Sequence, residues 1–126
     1  MLLLRAGGCV MLLALFASLM PTSWMALIHR WLGLGVFPES ALVEYLTRSI
    51  SILYAIHGGL LLIVSGDIPR FSPVIRYLGI STCATGLILL VIDIYAGLPW
   101  TWALVEGPIV MLIGILIVAL LRASDQ

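Results

Sequence analysis

Lysine is absent from this chain, charged residues make up only 10% of it, and cysteine and histidine occur twice each. Each shortage excludes something. Soluble domains carry about 25% charged and about 45–50% apolar residues. A chain of 126 residues that is 63% hydrophobic, with a mean hydropathy of +1.23, does not present an ordinary water-facing surface. Arginines and acids balance at six each, for a formal net charge of zero. That balance excludes both the basic footprint of a nucleic-acid binder and a polybasic lipid-binding tail. Cys9 and Cys83 form no Cys-x-x-Cys pair, so disulfide-exchange chemistry is not expected and both read as small hydrophobes. His29 and His57 are not at metal-ligand spacing, so no zinc, haem or other cofactor is expected.

What is present is long apolar runs. A membrane-crossing helix needs roughly 20 mostly apolar residues, and four segments qualify: 2–20, 41–64, 74–95 and 99–121. The first ends at Pro21-Thr22-Ser23, where a new helix can start. The second opens after Pro38-Glu39-Ser40, with Ser40 placed as N-cap and Glu44 at the positive end of the helix dipole. Ser65-Gly66-Asp67-Ile68-Pro69-Arg70 and Gly97-Leu98-Pro99 read as turns, and such short links make antiparallel neighbours. The stretch 24–34 is too short to span. Its mixture of Trp24, His29, Arg30 and Trp31 with apolar residues fits a helix lying in the interface plane, ended by Gly33 and Gly35. The expected fold is therefore all-α: a single transmembrane domain, residues 1–126, built as an integral membrane four-helix bundle with one short interfacial helix between spans one and two.

Arg5, Arg70, Arg76 and Arg122 fall on one side of such a bundle and Arg30 and Arg48 on the other. That imbalance favours both termini in the cytoplasm, with Trp24, Trp31, Trp100 and Trp102 at the outer interface. The N-terminal run also has signal-peptide character. However, Phe16-Ala17-Ser18 puts an aromatic where cleavage needs a small residue, and no apolar region precedes Ala6-Gly7-Gly8-Cys9. The first span is expected to be retained.

Charges inside spans are the informative residues, since each costs roughly 2.5–3.5 kcal/mol at mid-bilayer on insertion scales. Arg48 and Glu106 each lie about two turns into their spans, and Asp93 lies near the end of the third on the same side. At 100° per residue, Arg48 shares its face with Glu44, Ser51, Ala55 and Gly59. Asp93 falls on the face of Gly79, Thr82, Gly86 and Leu89. Small-residue faces pack on other helices. The expected site is an Arg48, Asp93 and Glu106 network with Glu44, His29 and Arg30 at its rim. It serves either to fix helix register or to bind a ligand or proton. Two arginines against Glu39, Glu44, Asp93 and Glu106 leave an excess of acid that a retained proton or a bound cation would offset. His57 lies on the opposite face with Ile50, Leu53, Leu60 and Leu61. It reads as a neutral histidine satisfied by a neighbour, and Tyr54, one turn earlier, is a candidate second contact for a lipophilic headgroup.

The motifs Ile28-His29-Arg30, Leu32-Gly33-Leu34-Gly35 with Pro38, Tyr45-Leu46-Thr47-Arg48-Ser49, Tyr54-Ala55, Ser65-Gly66-Asp67, Asp93 with Gly97-Leu98-Pro99, and Glu106-Gly107-Pro108 extend over most of the chain. Together they resemble a group of small bacterial four-helix integral membrane proteins, loosely similar to the DoxX-like family. The resemblance implies the four-span fold and a bacterial inner membrane, and it carries no substrate. The function expected first is non-enzymatic: an accessory subunit, or a bundle that binds a lipid or other hydrophobic small molecule. Its partners would be the lipid bilayer and either further copies of the chain or another membrane protein. A small proton-coupled transporter using Arg48, Asp93 and Glu106 ranks second. A membrane enzyme acting on lipid or quinone ranks third, because Ser51 has no assured base beside it.

Overall fold

The computed structural model describes residues 2–124, which are helical with short connections and contain no strand. Six helices follow in chain order: α1 (Leu2–Leu12), α2 (Ala14–Leu19), α3 (Thr22–Trp31), α4 (Ala41–Val64), α5 (Ile68–Tyr95) and α6 (Trp100–Ser124). The pair α1 and α2 forms one apolar run, Leu2–Leu19, and with α4, α5 and α6 it gives four helices long and apolar enough to cross a membrane. The chain is thus an all-α, multi-pass membrane protein. Each unit exposes large apolar side chains, such as Leu53, Ile56 and Ile63 in α4 and Leu87, Val91 and Leu112 in α5 and α6, the kind of surface that a bilayer would solvate.

The chain forms two compact units that meet in sequence between Gly66 and Asp67. In the first unit, α1 and α2 pack on α4. Their closest approach is at Gly8 and Gly58, where a Cβ on Gly58 would lie 2.7 Å from the Gly8 carbonyl oxygen. Gly59, the glycine expected on the packed face, meets nothing within 4 Å. The buried stripe of α4 is Ala55, Gly58, Leu61 and Val64; it shares Ala55 with the face of Arg48 and advances in three-residue steps, which turn it away from that face to Gly58 rather than Gly59. Backbone bonds from Leu13 N–H to the Val10 carbonyl and from Phe16 N–H to the Leu13 carbonyl tighten the chain where α1 passes into α2.

In the second unit α5 packs along α6. The contact is built from glycine pairs seven residues apart on each helix. Gly86 lies against Gly107 and Met111, and Gly79 against Gly114 and Val118. Without side chains at these positions the two backbones come close enough to exclude any Cβ. A Cβ on Gly86 would sit 2.6 Å from the Gly107 carbonyl oxygen. The third span begins at Ile68 rather than Val74. Asp67 accepts a hydrogen bond from the Arg70 amide at 3.2 Å, and Pro69 stands in the first turn, where a proline has no amide to waste. The sequence read as a turn is therefore a helix start, and Pro73 is carried inside the helix at the loss of one backbone bond. At the other end Gly97 adopts a positive φ of 70° and turns the chain toward α6.

Gly86→Ala should lower the stability of the α5–α6 hairpin by about 1–3 kcal/mol through overpacking. Gly59→Ala should leave α4 unchanged or raise its stability by up to about 1 kcal/mol. Unfolding in mixed micelles, followed by far-ultraviolet circular dichroism, separates the two. Equal responses would contradict the packing described.

Candidate functional site

Arg48 is set into a helix with few other charges, and its side chain bonds to partners within the first unit. Its Nε and Nη2 donate to Glu44 Oε1 at 3.2 and 2.8 Å. The two residues are one turn apart on α4, the spacing at which a glutamate and a following arginine meet. Its Nη1 donates to the Ser18 carbonyl at 2.6 Å. That carbonyl belongs to the last turn of α2, whose oxygens have no partner further along the helix because Met20 is extended and Pro21 follows. A cation at a helix C-terminus is also favoured by the helix dipole. Beyond the break, α3 starts at Thr22, whose hydroxyl donates to the same Glu44 Oε1 at 2.8 Å. Arg48 and Glu44 thus hold both sides of the Met20–Pro21 break against α4.

This arrangement shapes a pocket of about 540 Å³ between α3 and the start of α4. Its polar lining is Thr22, Ser23, Arg30, Glu39, Ser40 and Glu44, and its apolar wall is Ala26, Val36, Phe37, Pro38 and Ala41. Residues 36–40 of this lining come from the connection between α3 and α4, which folds back. Gly33 and Gly35 take positive φ values of 76° and 88°, a conformation open to glycine. His29 Nδ1 then donates to the Gly35 carbonyl at 3.3 Å, and the His29 ring meets Phe37 edge-on at 5.5 Å. Phe37 is buried. Ser40 occupies the N-cap position in extended geometry but makes no side-chain cap bond, which leaves its hydroxyl to the pocket.

The structure therefore brings together Arg48 and Glu44 as an ion pair, and Arg30 and Glu44 as lining of one pocket, with His29 bracing the wall. Asp93 and Glu106 belong to the second unit. Asp93 is buried on the same stripe as Gly79 and Gly86, as its helical angle predicts. Its Oδ2 has no hydrogen-bond partner among the described residues. Glu106 accepts a hydrogen bond from the Trp102 indole one turn before it. His57 is half-buried and Tyr54 exposed, and neither makes a side-chain hydrogen bond among the described residues. Three hydroxyls of α4 and its C-cap return to their own helix: Thr47 donates to the Val43 carbonyl, Ser51 to the Thr47 carbonyl and Ser65 to the Leu62 carbonyl. Among the described residues no group of three His, Cys, Asp or Glu is placed to hold a metal ion.

Three members of this site escape a sequence reading centred on Arg48, Asp93 and Glu106. Thr22 and the Ser18 carbonyl are recruited because the helix breaks between them, and Pro21 was the signal for that break. Phe37 enters through loop geometry, for which the paired glycines before it were the clue. Comparison with protein-family models, with curated proteins and with solved structures finds no match.

A double-mutant cycle tests the clamp. Arg48→Gln should destabilise more than Glu44→Gln, because it also strips the Ser18 carbonyl of its donor. The double variant should be no less stable than Arg48→Gln alone. Additive losses in mixed-micelle unfolding would mean the two residues act independently.

Proposed function

We propose that the protein is a non-enzymatic membrane protein that binds the polar head of a lipid or similar amphiphile in the pocket between α3 and α4. The carrying observation is the pocket's lining. It combines apolar Ala26, Val36, Phe37, Pro38 and Ala41 with Arg30, Glu39, Glu44 and three hydroxyl residues. A short helix bearing exposed Trp24 and Trp31 forms one side, and tryptophan favours the headgroup level of a bilayer. A ligand with a charged head and an apolar body matches such a site. The one hydroxyl of its lining that meets a carboxylate, Thr22 on Glu44, meets the oxygen that Arg48 already occupies. The arginine distribution supports placing this side of the protein outside a bacterial inner membrane with both termini in the cytoplasm. Kinship with the DoxX-like group is proposed with it, on Ile28-His29-Arg30 and Tyr45-Leu46-Thr47-Arg48-Ser49, which line or flank the pocket.

Native mass spectrometry of the protein released from lipid nanodiscs tests the reading. Wild type should retain an amphiphile that is lost both in Arg30→Ala and in Ala26→Trp, which fills the pocket. Equal retention in all three proteins would contradict it.

A second reading, a cation-coupled carrier, draws on Asp93 alone. A buried carboxylate oxygen without a partner costs about 1–3 kcal/mol, a cost that a protein using the group to take up a cation would retain. In proteoliposomes under an imposed potential, that reading expects proton or sodium flux that disappears in Asp93→Asn. Identical flux in wild type and variant would remove it.

A further inference from the structure

The structure assigns the pocket a more definite ligand class: a zwitterion in which a phosphate and a primary ammonium stand a few bonds apart, as in a phosphoethanolamine headgroup. This rests on the amphiphile-binding reading above. Some of the charges in the lining are already answered, and others are not. Glu44 Oε1 accepts from Arg48 Nε, Arg48 Nη2 and Thr22 Oγ1, while its Oε2 accepts from no described residue. Arg30 and Glu39 are exposed and form no ion pair with any described residue. The pocket therefore holds one uncommitted guanidinium, one uncommitted carboxylate and one free carboxylate oxygen.

A ligand carrying only an anion would satisfy Arg30 and be repelled by Glu39 and Glu44. One carrying only a cation would leave Arg30 unanswered. A zwitterion meets both demands. The planar guanidinium matches two phosphate oxygens at once. A primary ammonium brings three N–H donors, and Glu39, Glu44 Oε2 and the hydroxyls of Ser23 and Ser40 are the acceptors around it. A quaternary ammonium has no N–H to give to these oxygens. It is held instead by aromatic faces, of which the lining has one, Phe37. The same chemistry excludes trimethylated heads by a want of partners and glycerol heads by a want of positive charge.

The experiment adds dioleoyl phosphatidylethanolamine, phosphatidylcholine and phosphatidylglycerol, with identical chains and in equal amounts, to delipidated protein and reads retention by native mass spectrometry. Wild type should retain phosphatidylethanolamine at least several-fold over the other two. Arg30→Gln should lose that retention, and Glu39→Gln should narrow the preference over phosphatidylglycerol. Both residues are exposed, and circular dichroism checks that the variants remain helical. Displacement of the retained lipid by soluble glycerophosphoethanolamine would place recognition in the headgroup, and persistence of the lipid would add the acyl chains to it. Both outcomes keep the class. Arg30-dependent retention that favours phosphatidylglycerol or phosphatidylcholine would overturn the zwitterion assignment and leave the amphiphile site standing. Retention of all three lipids regardless of Arg30 would overturn both.

Discussion

A guanidinium placed in a membrane helix has to be answered by the protein, because lipid tails offer it neither water nor acceptors. Arg48 is answered three times over, twice by a carboxylate one turn away and once by a carbonyl in the last turn of α2 that its own helix leaves without a partner. The consequence reaches further than the pair. Since Glu44 also takes the Thr22 hydroxyl, the end of one helix and the start of the next are fixed to α4 on either side of a proline. The break at Pro21 becomes a defined corner. Everything at the mouth of the pocket follows from that corner, including the direction in which α3 leaves and the space that Phe37 closes.

The two units solve the same packing problem with different economy. In each, glycines allow helices to approach until backbone meets backbone, at Gly8 and Gly58 in one and at Gly79, Gly86, Gly107 and Gly114 in the other. Van der Waals contact replaces the hydrophobic effect as the attraction between helices in lipid. The first unit adds polar connections at one end. Among its described residues the second keeps a single buried acid, Asp93, on its glycine stripe, with one oxygen unanswered. These are different uses of charge within one architecture: in the first it organises a pocket, and in the second it stands in a close-packed seam.

Much of this was legible in the sequence. Hydropathy alone gives four spans, and α4 runs from Ala41 to Val64 as read, because an apolar run bounded by Pro38 and by Ser65-Gly66 leaves little freedom. The short helix expected over 24–34 is α3, which starts two residues earlier at Thr22 and ends at Trp31, before Gly33 and Gly35, for the reason those glycines announce. Helical periodicity also places Asp93 on a packed face with Gly86. The start of α5 was obscured because Asp67 and Pro69 belong equally to a turn and to a helix cap, and only the Arg70 amide bond decides between them. The choice of partner for Arg48 was obscured for a similar reason. Depth and angle make several carboxylates candidates. Glu44 gains the pair through the one-turn spacing within its own helix, which demands no distant alignment. A pocket made by a loop folding back onto α3 leaves no periodic trace at all.

The central claim is that polar recognition of an amphiphile takes place between α3 and α4. It is tested most directly by photocrosslinking with a phospholipid that carries a diazirine in its headgroup, followed by peptide mapping of the labelled protein. The account predicts label concentrated within residues 22–44, on the segment that contributes Arg30, Phe37 and Glu39. Label spread along the exposed faces of α4, α5 and α6, with no excess in that segment, would contradict it.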